Sequence, residues 1–72
     1  MRSHVCKVAK KYTTKVSLFS VMPGDLVSVR THSDIWFEII DQECNTLFVT
    51  LPDLLSLIDN KDVFAMMLIH GL

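Results

Sequence analysis

Glycine is scarce in this chain: Gly24 and Gly71 are the only two. A phosphate-cradling loop needs several glycines within a few residues, so nucleotide binding of that kind is excluded. Cysteine is equally sparse. Cys6 and Cys44 are too few for a disulfide scaffold at this length, so free thiols in a reducing cytosol are expected, with a 6–44 bridge unsupported. The longest apolar run, Val63 to Ile69, is seven residues, far short of the roughly 17 that a membrane span requires. Lysines interrupt Val5 to Tyr12 where a signal peptide would be apolar. The expectation is a cytoplasmic protein without membrane contact. Acids are missing from the first fifteen residues, where Arg2, Lys7, Lys10, Lys11 and Lys15 stand alone. The remainder sets Arg30 and Lys61 against all eight acids. The charge pattern divides the chain into a basic N-terminal helix or arm, residues 1–15, and an acidic β-rich domain, residues 16–72.

What the chain does have is apolar surface. Half of its 72 residues are hydrophobic, yet a domain this small buries only about 60% of its unfolded surface. Disorder does not fit that composition, and a surplus of apolar side chains is expected to meet a second copy or a partner.

The organising stretch is Met22 to Leu51. Met22-Pro23-Gly24-Asp25 reads as a turn, proline presetting one backbone angle and glycine supplying a positive one. Leu26–Thr31 alternates cleanly, with Val27 and Val29 on one side and Ser28 and Arg30 on the other. Ile35, Phe37 and Ile39 supply the matching face of a second strand. Leu47, Val49 and Leu51 supply a third, or Phe48 and Thr50 in the shifted register. The connections, His32-Ser33-Asp34 and Asp41 to Asn45, have hairpin lengths, so an antiparallel meander follows.

Around that meander, Val5, Val8, Ala9 and Tyr12 fall at helical spacing and predict a short N-terminal helix capped by Ser3. Lys15 to Val21 alternates as a strand. Thr50-Leu51-Pro52-Asp53 has helix-start and capping-box spacing, giving a short helix near 52–59 that stops at Asp59-Asn60. Val63 to His70 is apolar on every side and is read as a closing strand. Strand, two hairpins, short helix and closing strand is the element order of a small SH3-like barrel, so the fold class expected is α+β or mostly β with an SH3-like antiparallel meander.

Catalytic chemistry is thin. His32-Ser33-Asp34 holds the residue types of a hydrolase triad, but sequence neighbours cannot align nucleophile, base and orienting acid. His4-x-Cys6 with His32, Cys44 and His70 lacks the paired spacings of zinc sites. Asp41-x-Glu43-x-Asn45 starts like a calcium loop, then fails at Thr46 and Pro52. No enzyme activity, cofactor or metal is expected.

Three surfaces remain. An apolar set, Trp36 and Ile40 on the middle strand with Phe64, Met66, Met67 and Leu68 near the C-terminus, has the residue types of interface cores. The basic arm, Arg2, Lys7, Lys10, Lys11 and Lys15 with Tyr12 among them, could hold phosphate backbones while the aromatic stacks on a base. Asp34, Glu38, Asp41 and Glu43 make an acidic surface able to mimic nucleic acid. The leading expectation is a small regulatory interaction module or inhibitor, acting on a protein partner or through homodimer formation. Nucleic-acid binding by the arm, or nucleic-acid mimicry by the acidic surface, is the alternative.

Overall fold

A computed structural model of the chain describes residues 3–14 and 18–70. Its elements run β1 (Ser3–Lys7), β2 (Tyr12–Thr13), β3 (Ser20–Val21), β4 (Leu26–Thr31), β5 (Trp36–Ile40), β6 (Thr46–Thr50), α1 (Leu51–Leu57) and α2 (Asn60–His70). β1-β4-β5-β6 form one antiparallel sheet in that order, and β2 pairs with β3 in a two-stranded ribbon. The fold is α+β. The meander is present, but β1 and β6 lie at opposite edges and the sheet does not close into a barrel.

The turn at Pro23-Gly24 forms as its chemistry dictates. Asp25 N–H donates to the Met22 carbonyl at 3.0 Å, Met22 N–H donates to Asp25 Oδ2, and Gly24 sits at φ +91°. In β4 and β5 the core face is Val27, Val29, Phe37 and Ile39, and β6 contributes Val49 with Leu47 packed alongside. Leu54 and Leu57 of α1, Val63 and Met66 of α2, and Phe19 and Val21 close over that same face. Ile35 departs from its expected place in β5. It lies in the β4–β5 loop, exposed.

The N-terminal segment is a strand, not a helix. Cys6 and Val8 are buried while Val5 and Lys7 face outward, a period of two that places the valines on opposite sides. Val, His, Cys and Ser are weak helix formers, and β4 offers a five-residue ladder running from Ser3 opposite Arg30 to Lys7 opposite Leu26. Long-range pairing overrides the i, i+3, i+4 coincidence. Ser3 to Lys7 of the basic segment are thereby woven into the sheet.

The C-terminal segment is a helix, not a strand. Asp59 caps it: its Oδ1 accepts the Lys61 N–H at 2.8 Å, and its carbonyl accepts from Asp62 and Val63. The β1 edge is already taken by the Asp59 N–H and the Asp62 carboxylate, so the segment satisfies its own backbone as a helix. α1 matches the expected helix near 52–59, with Pro52 in its first turn. Thr50 stands at the N-cap, but its hydroxyl donates to Asp53 Oδ2 instead of capping a backbone N–H.

The outer edge of β1 is fastened to the helix junction. Asp59 N–H donates to the Lys7 carbonyl, Ala9 N–H to the Leu57 carbonyl, and Lys7 N–H to Asp62 Oδ2 at 2.7 Å. Cys6 is sealed beneath this seam. Burial, with Asp62 and Asp59 adding to it, pushes its thiol from 9.0 up to about 11. Both cysteines are free thiols.

Two outcomes are expected. A thiol held above its unfolded value contributes stability that is intact below about pH 9 and lost as pH rises toward about 11. The urea midpoint of wild type should therefore fall further between about pH 8 and pH 10.5 than that of Cys6→Ala. Cys44 occupies left-handed backbone, φ 67°, at the tip of the β5–β6 hairpin. Cys44→Gly is expected to stabilise by about 0.5–1 kcal/mol, read from denaturant unfolding, because glycine carries no Cβ penalty there.

Candidate functional site

One face of the four-stranded sheet is covered by α1, α2 and the β2–β3 ribbon; the other carries no layer among the described residues. The strand registers fix its rows. Val5, Ser28, Ile40 and Thr46 lie side by side, Ser3, Arg30, Glu38 and Phe48 form the next row, and Lys7 lies beside Leu26. Trp36 opposite Thr50 closes one end. The apolar members are conspicuously open: Val5 is 62% exposed, Phe48 53%, Leu26 50% and Trp36 47%.

A polar cluster sits among them. His32 Nε2 is 2.7 Å from Glu38 Oε1, and Arg30 Nη1 is 3.6 Å from the same oxygen. An ionised carboxylate only accepts, so the imidazole donates. The Glu38 side chain is 11% exposed although no layer covers the face, because Arg30 and Phe48 flank it in the row and the His32 ring lies over its carboxylate. The His32 ring in turn meets Phe48 edge-on, centroids 5.0 Å apart. The arrangement is a charged knot inside an apolar rim, with Arg30 keeping spare donors toward solvent.

Two members of the His-Ser-Asp trio hold the β4–β5 loop together. His32 N–H donates to the Trp36 carbonyl, and Ser33 Oγ accepts the Ile35 and Trp36 N–H groups, so the hydroxyl organises the loop. Among the described residues no group of three His, Cys, Asp or Glu side chains is placed to hold a metal ion.

The predicted surfaces redistribute. Of the apolar set, Trp36 lies on the open face, where Ile40 is half-buried. Met66 is core, and Met67 packs partly against it. Phe64 and Leu68 are exposed on α2, away from Trp36. Within the acidic set only Asp34 and Glu43 are exposed. Glu38 is paired as above, and Asp41 is buried, its carboxylate accepting from Glu43 N–H, Asn45 N–H and Asn45 Nδ2. Lys10 and Lys11 are exposed in the connection after β1 and Tyr12 at the start of β2, with Lys7 exposed in β1 itself. Arg2 and Lys15 lie outside the described residues. The members of the site that sequence reasoning missed are Val5, Leu26, Arg30, His32 and Phe48. Their signal was available only in pairwise register, since no single strand shows that five side chains from three strands and a loop share a face.

A separate cavity of about 270 Å³ opens under the β6 edge, lined by Lys10, Tyr12, Leu47, Val49, Asp53 and Leu57. It falls short of the roughly 300–1,000 Å³ typical of small-molecule pockets. No described helix is long and apolar enough to cross a membrane. No family model, no curated protein and no solved structure matches the chain.

The charged knot is expected to add modestly to stability. Glu38→Gln keeps the shape and loses the ionic contacts. Its cost should be about 1 kcal/mol in denaturant unfolding, because Arg30 and His32 are each more than a third open to water. An unchanged midpoint would mean that the cluster is no more than a solvated contact.

Proposed function

We propose that this protein is a non-enzymatic regulatory interaction module whose docking surface is the open sheet face. The observation that carries the reading is the uncovered patch of Val5, Leu26, Trp36 and Phe48 around the Arg30–Glu38–His32 cluster. A small domain that leaves this much apolar surface open on one face is built to cover it with something else. Trp and Arg are the residue types that dominate binding energy at interface centres. Arg30 and Glu38 offset each other, so the charge left over on the face is the positive one of Lys7. The partner surface that fits is apolar, with hydrogen-bond acceptors opposite Arg30.

The alternative, nucleic-acid binding by the basic segment, draws on the adjacent exposed Lys10, Lys11 and Tyr12. Mimicry by the acidic surface is the weaker variant, since Glu38 and Asp41 are consumed within the fold.

Trp36→Ala is expected to change unfolding free energy by less than about 1 kcal/mol, yet to weaken partner binding by about 2 kcal/mol. A photo-crosslinking residue at Ser28, mid-face, should trap one partner of defined mass in source cells, whereas the same residue at Lys61 on α2 should not. Trapping that ignores a Trp36→Lys change would overturn the reading. Retardation of DNA or RNA that vanishes when Lys7, Lys10 and Lys11 become glutamate would move the function to the alternative.

A further inference from the structure

The two edges of the sheet are treated differently. β1 is closed off by Asp59 and Asp62, as described. β6 has no strand on its outer side among the described residues, and the strand itself carries none of the usual protections: Thr46-Leu47-Phe48-Val49-Thr50 contains no charge, no proline and no bulge.

The phase of the β5–β6 ladder says which backbone groups are free. Asp41 N–H donates to the Asn45 carbonyl at 2.9 Å. Hydrogen-bonded and non-bonded pairs alternate along an antiparallel ladder. The bonded pairs are therefore Ile39 with Leu47 and Phe37 with Val49, in the observed register. The N–H and C=O groups of Thr46 and Phe48, and the N–H of Thr50, then point away from β5.

That edge is self-complementary. Read in either direction the strand is threonine, aliphatic, phenylalanine, aliphatic, threonine, with Phe48 at the centre. A two-fold axis through Phe48 places each Phe48 opposite its counterpart, each Thr46 opposite a Thr50, and each Leu47 opposite a Val49. We infer that two copies of this chain pair antiparallel through β6, making one continuous eight-stranded sheet. Isologous pairing of this kind demands a segment that matches its own reverse. Four hydrogen bonds form without disturbing either fold: two between the Phe48 residues, and one from each Thr50 N–H to a Thr46 carbonyl. Uncharged β6 brings no like charges together. Cross-strand aromatic and Thr–Thr pairs are the stabilising kind.

The inward side fits as well. Leu47 and Val49 point toward the cavity flanked by Tyr12 and Leu57. The opposing Val49 and Leu47 of the second copy would lie along its open rim. This inference concerns the edge and does not depend on the docking role of the face.

Mixed-label NMR tests the register directly. In the proposed pairing Leu47 and Val49 form a non-hydrogen-bonded pair, whose α protons approach closely. A cross-copy contact between the Leu47 and Val49 α protons is expected, together with a light-scattering mass twice the 8.2 kDa chain. Phe48→Lys sets two ammonium groups opposite each other and should raise the dimer dissociation constant about tenfold or more, with circular dichroism unchanged. Trp36→Lys, which alters the face and leaves the edge, should leave dimerisation intact. A wild-type monomer at NMR concentration overturns the inference. So does a dimer that lacks the Leu47–Val49 contact, or one that Trp36→Lys dissociates; that last result would instead place self-association on the open face.

Discussion

The seam along β1 is the constraint on which the rest depends. One edge of this strand pairs with β4, and the other receives Asp59 N–H, the Asp62 carboxylate and, just beyond, the Leu57 carbonyl. Those bonds fix where α1 ends and α2 begins, and so decide which face of the sheet the helices cover. Because the helices are committed there, Cys6, Val8 and Ile58 disappear from solvent and the opposite face stays bare. An apolar platform is the geometric consequence of a chain that has one helical layer to distribute and fastens it at an edge.

That platform holds its shape by mixing two kinds of interaction. Glu38 sits where an apolar residue would leave a flat greasy surface, and it ties Arg30 of β4 to His32 of the following loop. Asp41 works similarly at the other hairpin, where one carboxylate gathers Glu43 and Asn45. Both acids serve the local fold before they can serve a partner. A count of surface charges from the sequence therefore overstates the acidity that an approaching molecule meets.

The middle of the chain was legible and its ends were not, for a physical reason. The Pro23-Gly24 turn, the alternation of Val27 and Val29, and Pro52 opening α1 are local signals, decided by backbone sterics and period. At the ends the local signal is ambiguous or false. Val5, Val8, Ala9 and Tyr12 fit a helix only until β4 offers a ladder, and Val63 to His70 is apolar all round, so its buried stripe of Val63 and Met66 cannot be seen in advance. Met66 and Trp36 illustrate the same division in the candidate site. Their residue type marks both for an interface, and only packing sends one inside and leaves the other out. His32 could be dismissed as a catalytic residue from sequence geometry, but its bond to Glu38 depends on a register no local pattern carries.

The seam also has a consequence for the order in which the protein can be made. β4, β5 and β6 are joined by short hairpins and can assemble as soon as they are synthesised. β1 is made before them, yet one of its bonds joins Lys7 to Asp62, fifty-five positions later. Its outer edge therefore stays uncovered until Asp59 and Asp62 have been added, and β1 is expected to be secured after β4, β5 and β6. Lys7 on that edge, with Lys10 and Lys11 just after it, gives it in the interval a like charge of the kind that opposes edge-to-edge pairing.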